Sequence, residues 1–205
     1  KGYCTNIGSI AAIAGVLSRI FYMQYIRDFT NRKIIDSHKE ILARQSKEDF
    51  LTGLFNRRYL ELLLSQEFAR ARRYNLKLSV AMADIDHFKV INDTFSHQVG
   101  DEVLRVIARL FRQSIRSFDI IARYGGEEFV LILPETDIDE AVMVCERIRK
   151  TVESHDWSSI ASGLSVTISF GITDDMSREN YEKLLSLADI RLYEAKNGGR
   201  NQVRY

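Results

Sequence analysis

The stretch ARYGGEEFVLILPETD, Ala122 to Asp137, decides how this chain folds. Two apolar runs flank a Gly-Gly pair, and that pattern predicts two short strands joined by a tight turn. An ordinary hairpin needs a glycine at its turn, but it has no use for Glu127 beside Glu128 at the rim of a strand as apolar as Phe129–Leu133. Neighbouring carboxylates repel unless a cation offsets their charge. Gly125 and Gly126 carry no Cβ, so a bulky phosphate could approach the backbone there.

Working outward, the hairpin is embedded in alternating helical and strand patterns. Asn56 is placed to cap a helix with apolar positions Leu60, Leu63, Leu64 and Phe68 and a basic end at Arg70, Arg72 and Arg73. LKLSVAMADID (76–86) reads as a buried strand ending in Asp84 and Asp86. A short helix over HFKVINDTF precedes a longer one carrying Val103, Leu104, Ile107, Leu110, Phe111 and Ile115 at helical spacing. After the hairpin come a helix opened by acids, a strand in LSVTISFGIT, a helix stopped by Gly198 and Gly199, and a terminal strand in NQVRY. The order predicts an α+β fold, a ferredoxin-like core with a mostly antiparallel central sheet flanked by helices.

If the strand bearing Asp84 lies beside the one opened by Glu128, three or four carboxylates converge at one sheet end. Any single acid there has an ordinary explanation: Asp86 as a cap for the next helix, the glutamates as a solvated turn. Convergence from separate segments points instead to a hard cation held by oxygen, without His or Cys, which is the donor set of Mg²⁺ arriving with phosphates.

The totals narrow the function classes. Of 205 residues, 45% are hydrophobic and 28% charged, which suits a domain with a sizeable core rather than a disordered chain. A net charge of +1 argues against a nucleic-acid partner. Cys4 and Cys145 are far apart and in no metal-ligand spacing, which fits a reducing compartment. The chain begins with Lys and is read as a fragment or a processed product. Its opening, IGSIAAIAGVLSRIFYMQYI (7–26), has Arg19 as its one charge and is followed by Arg27, Arg32 and Lys33. Residues 1–27 are therefore expected to end a transmembrane or membrane-proximal helix, with the rest of the chain in the cytoplasm at a bacterial inner membrane. A soluble amphipathic helix packed on a partner, in a cytoplasmic protein, is the alternative. Residues 28–47, with Ile34, Ile35, Ile41 and Leu42, read as a helical connector with coiled-coil character.

RYGGEEF is similar to the signature of the GGDEF family of diguanylate cyclases. DFLTGLFNRRYL (49–60), DIDHFKVINDTFSHQVGDEVL (84–104), SFGIT (169–173) and ADIRLYEAKNGGRN (188–201) resemble further family motifs in the expected order. The resemblance covers residues 48–205. It implies a palm-like cyclase fold and condensation of two GTP molecules into cyclic di-GMP by an antiparallel homodimer, with Mg²⁺, or Mn²⁺ in its place, as cofactor. It assigns Asp84, the carbonyl of Ile85, Glu127 and Glu128 to the metal, with Glu127 also the candidate base. Asn92 and Asp101 would read the guanine edge, and His97 would approach the ribose. Phe88 and Lys89 open a helix expected to meet the phosphates beside Gly125 and Gly126, and Lys196 and Arg200 would neutralise the triphosphate. RSFD places Arg116 and Asp119 as an R-x-x-D inhibitory site for product, joined by Arg147. The alternatives are a catalytically silent receptor for GTP or cyclic di-GMP and a cyclase making a mononucleotide product.

Overall fold

A computed structural model describes residues 17–19, 21–27, 29–33 and 47–205. The chain divides into two compact units, 1–46 and Lys47–Tyr205. In the first, the described stretches are helical, and Phe21, Tyr22, Met23 and Tyr25 are exposed. Among the described residues no helix is long and apolar enough to cross a membrane. Most of the expected membrane segment (7–26) and of the connector (28–47) lies outside the described residues.

The second unit runs β1 (Phe55–Asn56), α1 (Arg57–Tyr74), β2 (Leu78–Ile85), α2 (Phe88–Phe95), α3 (His97–Ser114), β3 (Ile120–Gly125), β4 (Glu128–Pro134), α4 (Ile138–Glu153), β5 (Ile168–Thr173), α5 (Tyr181–Asn197) and β6 (Val203–Arg204). A 3-10 turn at Trp157–Ser159 follows α4. The six strands form one sheet in the order β1-β3-β4-β2-β5-β6. The four central strands pair antiparallel, whereas β1 and β6 add parallel edges. The sheet is thus mixed and mostly antiparallel, as the sequence implied. The two-residue edge strand β1 was not expected.

Local chemistry accounts for the helices. Asn56 accepts the Tyr59 N–H at 3.0 Å, Asp137 that of Glu140 at 3.0 Å and Asn180 that of Lys183 at 3.0 Å, each satisfying a donor that the first helical turn leaves free. At the other end of α1, Asn75 closes the helix in the left-handed region at φ 52°. On α1, Leu60, Leu64, Phe68 and Ala71 are buried, which is the helical spacing read from sequence.

Strand alternation sorts the sheet into two apolar layers. Ala81, Ala83, Phe129, Leu131, Leu133 and Phe170 share a cluster with Leu104, Ile107 and Phe111 of α3 and Ala141, Cys145 and Ile148 of α4. Val80, Met82, Val130 and Ile132 face Leu60, Leu64 and Phe68 of α1 and Leu184, Ala188 and Leu192 of α5. In the first layer, Phe111 stacks on Phe129 with ring centroids 5.3 Å apart. Burial of each such side chain stabilises the fold by about 1.5–3 kcal/mol. Helix α5 crosses β5 so closely that a Cβ on Gly171 would collide with the backbone of Ala188 and Leu192.

Candidate active site

Register builds the site. Asp84 is the direct antiparallel partner of Glu128, and cross-strand partners project from the same face. Asp84 continues the side of Val80 and Met82, and Glu128 that of Val130 and Ile132, so both carboxylates leave the sheet toward α1 and α5. From α5, Lys196 reaches back, its Nζ 2.7 Å from Asp84 Oδ2. Asp84 is only 6% exposed. Burial pushes its carboxyl up to about 6 against the pull of Lys196, and the charges of Glu127 and Glu128 add to the rise. Burial also raises Glu128, opposed by Lys196. These carboxylates are held in one region at an electrostatic cost that a cation would relieve.

The expected convergence of three or four acids is looser than the sequence suggested. Among the described residues no three His, Cys, Asp or Glu side chains come close enough to enclose a metal ion. Asp86 turns away altogether. It is buried and accepts from Thr167 Oγ1 (2.8 Å), Ser169 Oγ (2.7 Å) and the Asn201 N–H (3.0 Å). It does not cap α2, whose N-cap, His87, makes no side-chain capping bond.

The hairpin turn is fixed from below. Arg123 Nε and Nη2 donate to the Gly126 carbonyl at 2.9 and 2.8 Å, and its Nη1 pairs with Asp49 Oδ1 at 3.2 Å. Asp49 also accepts from the Thr52 N–H and hydroxyl at 2.9 and 2.7 Å. Burial alone would raise the Asp49 carboxyl, but the Thr52 bonds and the Arg123 charge hold it below its ordinary value. Gly126 takes φ 49°, which glycine adopts without strain. A Cβ on Gly125 or Gly126 would meet nothing within 4 Å, so the surface above the turn is open.

The remaining predicted residues spread around this rim. Ile85 ends β2, its side chain in the core and its N–H 3.4 Å from the Glu127 carbonyl. Glu127 itself lies half-buried in the turn. Phe88 is sealed in the core, which leaves only its backbone for a ligand, whereas Lys89 is exposed. Asn92 of α2 packs against Gly100 of α3, where a Cβ would collide with Asn92 Oδ1. His97 and Asp101 are exposed on α3. Arg200 lies past α5 in the left-handed region at φ 62°.

Arg116 and Asp119 stand together after α3, the Arg116 N–H donating to Asp119 Oδ2 at 2.8 Å. The other oxygen of Asp119 is buried with no hydrogen-bond partner, and burial raises this carboxyl. Arg147 on α4 donates from Nη2 to the Ser114 carbonyl at 2.6 Å, at the end of α3.

Sequence reasoning missed Arg123 as the tie to Asp49 and missed the anchoring of the Arg200 loop. Only the first had a local signal, since Asp-x-x-Thr is a turn-forming pattern.

Comparison with known proteins gives this geometry its setting. Residues 46–202 match the family described as Diguanylate cyclase, GGDEF domain. The diguanylate cyclase DosC of Escherichia coli is 39% identical over 191 residues, 90% of this chain and 41% of DosC. The response regulator PleD of Caulobacter vibrioides is 44% identical over 159 residues, 76% of this chain and 35% of PleD. The chain thus spans less than half the length of these relatives. Among solved structures, the GGDEF domain of DgcB from Caulobacter crescentus, in complex with c-di-GMP, superposes with a TM-score of 0.74 at 34% identity, covering 78% of this chain and 95% of that one. Diguanylate cyclase SiaD of Pseudomonas aeruginosa, in complex with its activator SiaC, gives 0.73 at 35% identity, covering 97% and 79%. With its motifs in order, its palm-like sheet and its acidic hairpin in place, the chain belongs to the diguanylate cyclase GGDEF-domain family.

Proposed function

We propose that this protein is a diguanylate cyclase that condenses two GTP molecules into cyclic di-GMP and releases two pyrophosphates. The observation that carries the reading is the Asp84–Glu128 pair, held on one face beside Lys196 next to the open Gly125–Gly126 turn. The donors fit Mg²⁺, or Mn²⁺ in its place. They are hard oxygens, two of the carboxyls are raised by burial, and Mg²⁺ takes carboxylate oxygens and completes its shell with water and substrate phosphate. Asp84, the Ile85 carbonyl, Glu127 and Glu128 would hold it. When bound, it supplies charge stabilisation at the attacking and leaving oxygens.

The chain's own residues do the rest. Lys196 and Arg200 neutralise the triphosphate, and the free N–H groups at the start of α2, at Phe88 and Lys89, meet its oxygens. Asn92 and Asp101 pair with the guanine edge, an amide and a carboxylate matching its acceptors and donors, while His97 approaches the ribose. Glu127 takes the proton from the 3′-hydroxyl as that oxygen bonds to the α-phosphorus of the other GTP. The bond from that phosphorus to the β-phosphate bridging oxygen breaks, and pyrophosphate leaves. Two such steps close the ring, so two subunits face each other, each presenting one GTP. The activity therefore belongs to a homodimer.

Arg116, Asp119 and Arg147 form an inhibitory site for the product, a reading supported by the exposed Arg116 standing against Asp119. The apolar opening and its basic flank support attachment to the bacterial inner membrane with the catalytic unit in the cytoplasm. Incubating purified protein with GTP or ATP and Mg²⁺, with and without chelator, and identifying products by mass tests the activity. Cation-dependent cyclic di-GMP from GTP alone is expected. A cyclic mononucleotide, or bound GTP with no product, overturns the reading.

A further inference from the structure

The loop after α5 has a conformation that its sequence alone does not explain. Gly199, Arg200 and Asn201 are consecutively left-handed, at φ 114°, 62° and 45°. Glycine takes this region freely and asparagine tolerates it, but arginine does not favour it. The Arg200 N–H closes the end of α5 by donating to the Ala195 carbonyl at 3.0 Å, and the residue after it carries the bonds that tie the loop to the rest of the domain. The Asn201 N–H donates to Asp86 Oδ2 at 3.0 Å, which ties the loop to the end of β2. The Asn201 side chain uses both ends of its amide on α4: Nδ2 donates to Glu153 Oε1 at 2.7 Å, and Oδ1 accepts from Arg149 Nη1 at 2.8 Å. Arg149 and Glu153 are themselves paired at 2.9 Å, and Arg149 is only 12% exposed, so the amide closes a ring on a fixed support.

We propose that Asn201 is a positioning residue, which presents Arg200 to the substrate triphosphate by clamping the loop to Arg149 and Glu153 of α4. This rests on the cyclase reading above, because it takes Arg200 as a phosphate ligand. Asparagine suits the position twice. It accepts the left-handed backbone, and its amide supplies one donor and one acceptor to an ion pair that needs one of each. Aspartate would keep the acceptor and lose the donor, and glycine would keep only the backbone.

The test uses Asn201→Gly, which preserves the left-handed backbone and the N–H to Asp86 while deleting both amide bonds to α4. Binding of the non-hydrolysable analogue α,β-methylene-GTP with Mg²⁺ is measured by calorimetry, alongside steady-state cyclic di-GMP synthesis. The expected result is a 5- to 20-fold rise in analogue Kd and in KM, with kcat within threefold of wild type. In an Arg200→Ala background the same substitution is expected to change Kd less than twofold, because the residue it positions is gone. Glu153→Ala, at a side chain 47% exposed, removes one arm without burdening the fold, and is expected to raise Kd 2- to 5-fold even if Asn201→Gly fails to fold. Equal losses with and without Arg200, or unchanged binding in Glu153→Ala, overturn the proposal. Wild-type protein that does not bind the analogue overturns the nucleotide reading itself, and the clamp's role with it.

Discussion

Lys196 Nζ lies 2.7 Å from Asp84 Oδ2, so the helix that ends beside the site supplies the counter-charge for its most buried carboxylate. On the proposed reading, Asp84 would turn to the cation and Lys196 would be freed for phosphate. Lys196→Met is therefore expected to lower kcat/KM for GTP about 10- to 100-fold, the range of a lost charge-assisted hydrogen bond. Initial rates of product formation check this, and an unchanged kcat/KM would leave Lys196 as a structural partner only.

Asp84 also predicts a pH signature of stability. Its folded pKa of about 6 lies above its unfolded value of 3.8, so the folded state holds the extra proton between them. The stabilisation is complete below pH 4 and is lost as pH rises through about 6. In chelator, wild-type Tm should fall relative to Asp84→Asn across that window by roughly 2–5 °C. Added Mg²⁺ should then raise the Tm of wild type but not of the variant. Parallel Tm curves for the two proteins would contradict the assignment.

Gly125 separates clearance for nucleotide from turn formation. Its backbone is outside the left-handed region and a Cβ there meets nothing. Gly125→Ala should therefore stabilise the fold slightly, by about 0.4–1 kcal/mol through the unfolded chain. The same methyl stands where phosphate is expected, and KM for GTP should rise at least ~10-fold, an estimate from the steric cost of overfilling a fitted site. Stability from urea titration and KM from initial rates should move in opposite senses. An unchanged KM would return Gly125 to a turn residue.

Arg123 and Asp49 form an ion pair with both side chains about 15–16% exposed, beneath the hairpin turn. Arg123→Ala leaves Asp49 without its charge partner and releases the Gly126 carbonyl. A loss of about 2–3 kcal/mol in urea unfolding is expected, below the range for a fully buried pair. Activity should fall further than stability explains, because Glu127 and Glu128 ride on that turn.

Product inhibition is expected to depend on Arg116. Asp119 accepts the Arg116 N–H at 2.8 Å, and the Arg116 side chain beside it is exposed, so its guanidinium is open to a ligand's phosphate or guanine edge. Arg116→Ala should raise the cyclic di-GMP concentration for half inhibition at least ~10-fold, the loss of a charged hydrogen bond, without altering initial rates. Equal inhibition of both proteins would remove the site.

Much of this was legible from the chain alone. The periodicity of Leu60, Leu64 and Phe68 and the short apolar runs that lead to Asp84 and away from Glu128 located helices and strands, because burial imposes those patterns on sequence. What escaped was pairing across distance. Asp86 reads as a helix cap, yet its partners Thr167, Ser169 and Asn201 come from the far end of the chain. The edge strand Phe55–Asn56 is too short to carry a pattern and exists only because β3 offers it a free edge. Lys196 could be named as a site residue by resemblance, but its contact with Asp84 depends on how α5 crosses β5.

The Asp84–Glu128 register has a consequence for inheritance. Glu128 faces the site and Phe129 faces the core, one residue apart on the same strand. Inserting or deleting a single residue in the hairpin would exchange them, driving a carboxylate into the Phe111 layer and a phenyl ring into solvent. Chemistry and packing thus share one reading frame. On the proposed reading, a change of one letter at Asp84 or Glu127 would end the chemistry and leave this register intact, whereas a change in the length of this segment would cost both at once.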